Sequence, residues 1–266
     1  MPLELATRPP AVVAWCRVPA LDYAFFGPND ALYGIAGGPP DARRAVLVFS
    51  PPGVDAVRAR RVLFRLVRAL AAAGHGALLV DPRGSGESAL AFQETSLETH
   101  VADVRDGLHE LARRFPEAHQ RVIAVRYGAV PALTAAEPPA TDALLLIDPC
   151  LDVRAALRQD LRGEIAKRMR RGGAEDVGEG GDRDALVARI DAGLPIVLDG
   201  ERFPPALWRG LNATHPAALL AAWGDRATVL RSGRETFVPF HRQLSQARVT
   251  VEEPAFEAAA LAWARA

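Results

Sequence analysis

Short apolar runs alternate with stretches of helical periodicity along most of the chain. This alternation predicts a mostly parallel central sheet of about eight strands, with helices on both faces. Residues 44–50 (RAVLVFS), 76–81 (GALLVD), 121–125 (RVIAV) and 143–148 (ALLLID) are almost wholly apolar, as strands covered on both sides must be. Between them, residues 57–73 read as a helix with Leu63, Leu66, Val67 and Leu70 on one face. Leu97, Val101, Val104, Leu108 and Leu111 form a second helical stripe, with Thr95 and Glu98 as its capping box. A third helix follows Tyr127. Near the start, residues 21–26 and 31–36 flank the turn signal Gly27-Pro28-Asn29-Asp30, which predicts an antiparallel hairpin at the sheet edge. After residue 215 the alternation resumes, with strands over 217–223 and 247–252 and helices over 233–245 and 255–265.

Residues 149–215 break the pattern. Arg168, Arg170 and Arg171 are followed by Gly172-Gly173, then by Glu175, Asp176 and Glu179, then by Gly180-Gly181. The segment reads as helices flanking a loop, inserted as a helical cap over the active edge of the sheet, with residues 1–148 and 216–266 forming the core. Its charges read as a solvated face or as a surface for a protein partner. No internal repeat and no independent second domain is evident, and 266 residues suit one large domain with an insertion.

Charge balance changes the list of partners. The chain has 32 basic and 32 acidic residues, which disfavours nucleic acid or an anionic membrane as the main partner. No stretch approaches the ~20 apolar residues of a membrane span. Residues 1–14 lack the basic head and apolar run of a signal peptide. Cys16 and Cys150 lie far apart, so a disulfide framework is not expected and the chain suits a reducing cytosol. The expected location is cytoplasmic. No metal spacing such as H-E-x-x-H occurs, and neither a metal nor a cofactor is expected.

Two motifs then narrow the fold. Asp81-Pro-Arg-Gly-Ser-Gly-Glu-Ser88 follows the 76–81 strand and is similar to the D-x-R-G-x-G-x-S loop of α/β-hydrolases. Asp81 and Arg83 can hold that loop with a charge-assisted hydrogen bond, and Ser85 or Ser88 is a minor candidate nucleophile. Ala124-Val125-Arg126-Tyr127-Gly128 occupies the strand–turn–helix position where those enzymes carry the G-x-S-x-G elbow. Arg126 stands in place of the serine, and a guanidinium stays protonated and cannot attack a carbonyl. Ser50-Pro51-Pro52-Gly53-Val54-Asp55 lies where the oxyanion loop belongs. Pro51 and Pro52 have no N–H. Gly53, Val54 and Tyr127 could donate, and with Arg126 they would form an anion-binding pocket at a helix N-terminus.

The remaining triad members are also displaced. Trp223-Gly224-Asp225 can supply an acid, but no histidine follows the last predicted strand. His75, His100, His109, His119, His215 and His241 all read as surface or packing residues. Asp148 and Cys150 stand at a strand's C-terminal end, where ligands bind in such sheets. Cys150 and Ser50 are weak alternative nucleophiles. Arg126 either grips a carboxylate or phosphate or folds onto Asp55, Asp81 or Asp148 as an ion pair.

Over most of its length the chain resembles the type 2 family of hydrolases associated with the bacterial exosortase A system. The resemblance rests on Pro51-Pro52, on the elbow Val125-Arg126-Tyr127-Gly128-Ala129, on residues 186–208 of the insertion and on the Pro-Phe-containing exit at 251–256. The elbow arginine is shared with that family. Asp55 alone stands where the family tends to have an acidic pair, and Ala124 replaces the usual elbow glycine. The resemblance implies an α/β-hydrolase fold and a bacterial cytoplasmic protein linked to exopolysaccharide production and protein sorting. It carries over no catalytic assignment. Two functions follow: a non-catalytic protein holding a small anionic ligand, or a hydrolase or acyl transferase on esters or thioesters with a rearranged site.

Overall fold

The apolar runs become the centre of a sheet. The computed structural model describes residues 20–137, 140–170, 182–231 and 254–266. Within them β1 (Leu21–Phe26) and β2 (Leu32–Gly37) form the antiparallel edge hairpin. β3 (Arg44–Phe49), β4 (Gly76–Asp81), β5 (His119–Val125) and β6 (Ala143–Ile147) run parallel behind it.

Two short strands, β7 (Ile196–Leu198) and β8 (Glu201–Phe203), pair separately, and β9 (Ala227–Leu230) extends the main sheet beside β6. The order β1-β2-β4-β3-β5-β6-β9 places β3 in the middle. Strand side chains alternate between two cores although nearly all are apolar. Leu47, Phe49, Val122 and Ala124 face one layer, and Val46, Val48, Ile123 and Val125 face the other. Both layers exclude water, which is why the polar–apolar alternation of a half-exposed sheet is absent.

Helix α1 (Val54–Ala72) packs on one face through Leu63, Val67 and Leu70, beside α8 (Pro254–Arg265) with Ala260 and Ala264. Helices α2 (Leu97–Arg114) and α3 (Ala129–Ala135) cover the other face. The α2 cap is Ser96, whose Oγ accepts from the Thr99 N–H at 3.2 Å. Thr95, the expected cap, instead donates its hydroxyl to the Phe92 carbonyl at 2.8 Å.

Helix α4 (Val153–Arg170) and the β7–β8 hairpin roof the cavity described below, and α5 (Arg183–Asp191) and α6 (Pro205–Ala213) pack against α4. A polar knot ties the three helices. Asp191 accepts both bonds of Arg154 at 3.0 Å and the indole N–H of Trp208 at 2.8 Å, and the Arg154 guanidinium lies 5.6 Å from the Trp208 ring.

One predicted strand is a helix. Residues 217–223 fall in α7 (Pro216–Trp223), and the strand is β9 a few residues later. Pro216 presets the first turn and Ala and Leu favour helix, whereas β-branched Thr228 and Val229 favour strand. The helix expected over 233–245, the strand over 247–252, His241 and Cys16 lie outside the described residues. Among the described residues no helix is long and apolar enough to cross a membrane.

Candidate functional site

The elbow is a strained turn with an arginine at its tip. Val125 ends β5 in an extended conformation, and Arg126 then takes the left-handed φ of 49°. A non-glycine residue there costs about 1–3 kcal/mol unless its surroundings hold it. Close packing supports the turn two residues on, where a Cβ on Gly128 would come within 3.2 Å of the Ser50 carbonyl oxygen. The Arg126 carbonyl accepts from the Cys150 N–H at 3.3 Å.

The Arg126 side chain is only 13% exposed and is held by two carboxylates. Its Nε donates to Asp55 Oδ2 at 2.7 Å, and one Nη donates to both oxygens of Asp160 at 2.9 and 3.0 Å. The Tyr127 hydroxyl adds a bond to Asp160 Oδ2 at 3.0 Å. Arg58 lies 3.6 Å from Asp55 and 2.8 Å from Asp199. Charges therefore alternate in a row: Asp160, Arg126, Asp55, Arg58, Asp199. Burial opposes the Arg126 charge, but Asp55 and then Asp160 outweigh burial and hold the guanidinium protonated more firmly than usual. Burial pushes the Asp160 carboxyl up despite Arg126, and burial together with Asp160 pushes the Tyr127 phenol well up.

Asp55 was one of three expected partners of Arg126; Asp160 was not foreseen. It sits in the inward stripe of α4, beside Leu157 and Leu161, both fully buried. Acids at Asp160 and Glu164, among the inward Val153, Leu157 and Leu161, are the signal that could have found it. Asp148 occupies the exit of β6 with φ 44°, and its N–H donates to the Leu230 carbonyl at 2.8 Å.

The loop after β4 departs from the expected pairing. Asp81 bonds Arg60 at 2.5 Å, while Arg83 bonds Asp103 through its backbone N–H at 2.9 Å and its Nε at 2.5 Å. Gly86, at φ 58°, leaves no room between the loop and Asp81, where a Cβ would overlap the carboxylate. That close approach turns Asp81 toward α1, and Arg83 is left to α2. Ser85 accepts from the Gly53 N–H at 2.9 Å. Ser88 accepts from the Tyr33 N–H at 2.8 Å and donates to the Asp81 carbonyl at 2.6 Å. Both serines brace backbone.

The anion pocket is corrected by these contacts. The Gly53 N–H is spent on Ser85, the Val54 N–H serves the Glu201 carboxylate, and Arg126 is neutralised by two carboxylates. Asp225 is corrected too. It is exposed in the turn before β9, at the end of the sheet opposite the elbow, because the strand starts later than expected.

Cys150 is buried, and burial pushes its thiol up to about 12, so a thiolate is not available near neutral pH. Ser50 is 2% exposed at the end of β3. Among the described residues no histidine lines the cavity. His75 is buried at the start of β4, His100 is buried under the Arg83 carbonyl, His119 pairs with Asp142, and His109 and His215 are exposed.

A cavity of about 340 Å³ opens beside the elbow. Its floor is the loop after β3 with Arg126 and Tyr127, and its roof is α4 and the β7–β8 hairpin. Phe92 and Phe203 meet edge to face at 5.9 Å, and Tyr127 lies 6.2 Å from Phe203. Among the described residues no group of three or more His, Cys, Asp or Glu side chains is arranged to hold a metal ion.

No family model matches the sequence, and no curated protein does. Solved structures are similar in fold. DcsB, solved with a substrate analogue, is 15% identical over 92% of this chain and 99% of its own, with a TM-score of 0.57. Est1E from Butyrivibrio proteoclasticus, solved with ferulic acid, is 15% identical over 80% of each chain, with a TM-score of 0.53. XC6422 from Xanthomonas campestris, described as an α/β serine hydrolase without a lid, is 16% identical over 93% of this chain and 94% of its own, at 0.47. The chain has the α/β-hydrolase fold. At these identities the likeness speaks for the fold alone.

Proposed function

We propose that this chain is a non-hydrolytic, ligand-binding member of the α/β-hydrolase fold, using the cavity beside the elbow. The observation that carries the reading is the elbow tip. A permanently charged, doubly paired Arg126 holds the position from which a nucleophile would act. The spent Gly53 N–H and the high thiol pKa of Cys150 add support. The motifs shared with the exosortase-associated type 2 hydrolases support a role beside bacterial exopolysaccharide production in the cytoplasm. An active hydrolase or acyl transferase would need Ser50, Cys150 or a water to be activated, and no histidine stands among the described lining residues.

Purified protein should give no turnover of p-nitrophenyl esters or acyl thioesters and no fluorophosphonate labelling. Saturable turnover that disappears in Ser50→Ala or Cys150→Ala would sink the reading.

A further inference from the structure

Helix α4 carries a glycine that its own packing does not require. Gly163 stands inside an 18-residue helix, where glycine is less stable than alanine. It does not take a left-handed φ, and a Cβ built on it would meet no described atom within 4 Å. Neither a turn nor a close approach within the fold accounts for it. Gly163 lines the cavity beside the elbow, and so does exposed Ala166 one turn further on. At these two positions α4 therefore presents little more than helix backbone to the cavity, with open space in front of it.

Other walls carry rings. Phe92 and Phe203 meet edge to face at 5.9 Å, Tyr127 lies 6.2 Å from Phe203, and Leu198 adds an apolar side chain. Aromatic walls favour flat partners that stack or meet them edge to face. The charges of the same lining are occupied with one another. Arg126 holds Asp55 and Asp160, Arg58 holds Asp55 and Asp199, and Glu201 turns to Gly53 and Val54 at the start of α1. A charged ligand of either sign would have to break into these pairs, and breaking a buried pair is costly. An uncharged ligand meets no such cost. Exposed Gln159 gives the lining a neutral amide, able to donate and to accept.

We infer that this cavity binds an uncharged planar aromatic molecule of one or two rings, lying against α4 at Gly163 beside Phe92 and Phe203. The inference rests on the ligand-binding reading above and names the chemistry of what is bound. The size agrees. A cavity of about 150 Å³ takes one benzene ring, and this one is about 340 Å³.

The test uses the full chain with naphthylmethanol. Naphthylacetate and naphthylmethylamine are the anionic and cationic probes on the same body, and decalinylmethanol is the saturated, non-planar one. Thermal shift and titration calorimetry should show naphthylmethanol binding at least about tenfold more tightly than each of the other three, with little dependence on added salt. Gly163→Leu puts a side chain into the open space. The free variant should keep or raise its Tm, because leucine is the better helix former, and should lose at least about tenfold in affinity for naphthylmethanol. Phe92→Leu keeps an apolar side chain but removes a ring. It should weaken binding severalfold, and it decides the matter if Gly163→Leu does not fold. An ionic or saturated probe binding as tightly as naphthylmethanol, naphthylmethanol binding unchanged in these variants, or no binding of it at all, overturns the inference. Ester turnover by the same preparation would refute the non-hydrolytic reading while leaving the four-probe comparison to decide the ligand.

Discussion

Arg126 stabilises the molecule only because Asp55 and Asp160 are there to receive it. Removing it leaves two mostly buried carboxylates facing each other, so Arg126→Ala should cost about 3–5 kcal/mol, the usual penalty for breaking a buried ion pair. Urea denaturation would measure this, and a loss under about 1 kcal/mol would mean that the pairs are solvent-screened, as surface ion pairs are. Arg126→Ser places a hydroxyl at the tip of the elbow but brings no imidazole with it. That variant should show no esterase turnover, and the p-nitrophenyl acetate assay checks this.

A second residue reports on acid. Burial holds His100 neutral, lowering its pKa from 6.5 to about 4. A depressed histidine contributes stability that is present above 6.5 and is lost as pH falls toward 4. Asp103 on the same helix works in the opposite direction, because burial raises its pKa from 3.8 to about 6. Its contribution is present at low pH and is lost as pH rises through about 6, so the two partly cancel in the intact protein. His100→Gln removes one side of the balance. Between about pH 7.5 and about pH 4.5 the variant should gain roughly 2–3 kcal/mol relative to the parent. Denaturation curves at the two pH values check this.

Among the elements, α2 depends on a single cap. Ser96→Ala should cost about 1 kcal/mol, the usual value of an N-cap hydroxyl, whereas Thr95→Ser should cost less because it retains the hydroxyl bond to the Phe92 carbonyl. The parallel strands were readable in advance because β3 to β6 are buried on both faces and their runs contain little else but apolar side chains. The elbow was readable because only a strand, a tight turn and a helix fit Val125 to Ala129. Helix α7 was not readable, because a continuous apolar run carries no period and helix and strand look alike in it. The partners of Arg83 and Arg126 were legible only in part. Asp55 follows the double proline closely, but Asp103 and Asp160 come from elements whose approach is set by tertiary packing.

For the molecule as a whole, polar contacts tie the described roof residues to one another and to the core, with Arg126 and Tyr127 holding α4 through Asp160. Arg154, Asp191 and Trp208 join α4, α5 and α6, and Arg58 with Asp199 joins the hairpin to α1. Asp191→Ala should speed amide exchange in α4 to α6 while β3 to β5 keep their protection, since local opening draws on the least stable units first. Uniform exchange through sheet and roof would show instead that they unfold as one cooperative body.

The row of opposed charges from Asp160 to Asp199 also constrains heredity. A single codon change at Arg126 strands two acids, and a change at either acid leaves a cation short of a counter-ion. Replacing Arg126, Asp55 and Asp160 together with apolar residues of similar volume can be neutral or stabilising, as for other buried ion groups. Their effects on stability should therefore be strongly non-additive, with each single change costing more than the joint replacement of all three.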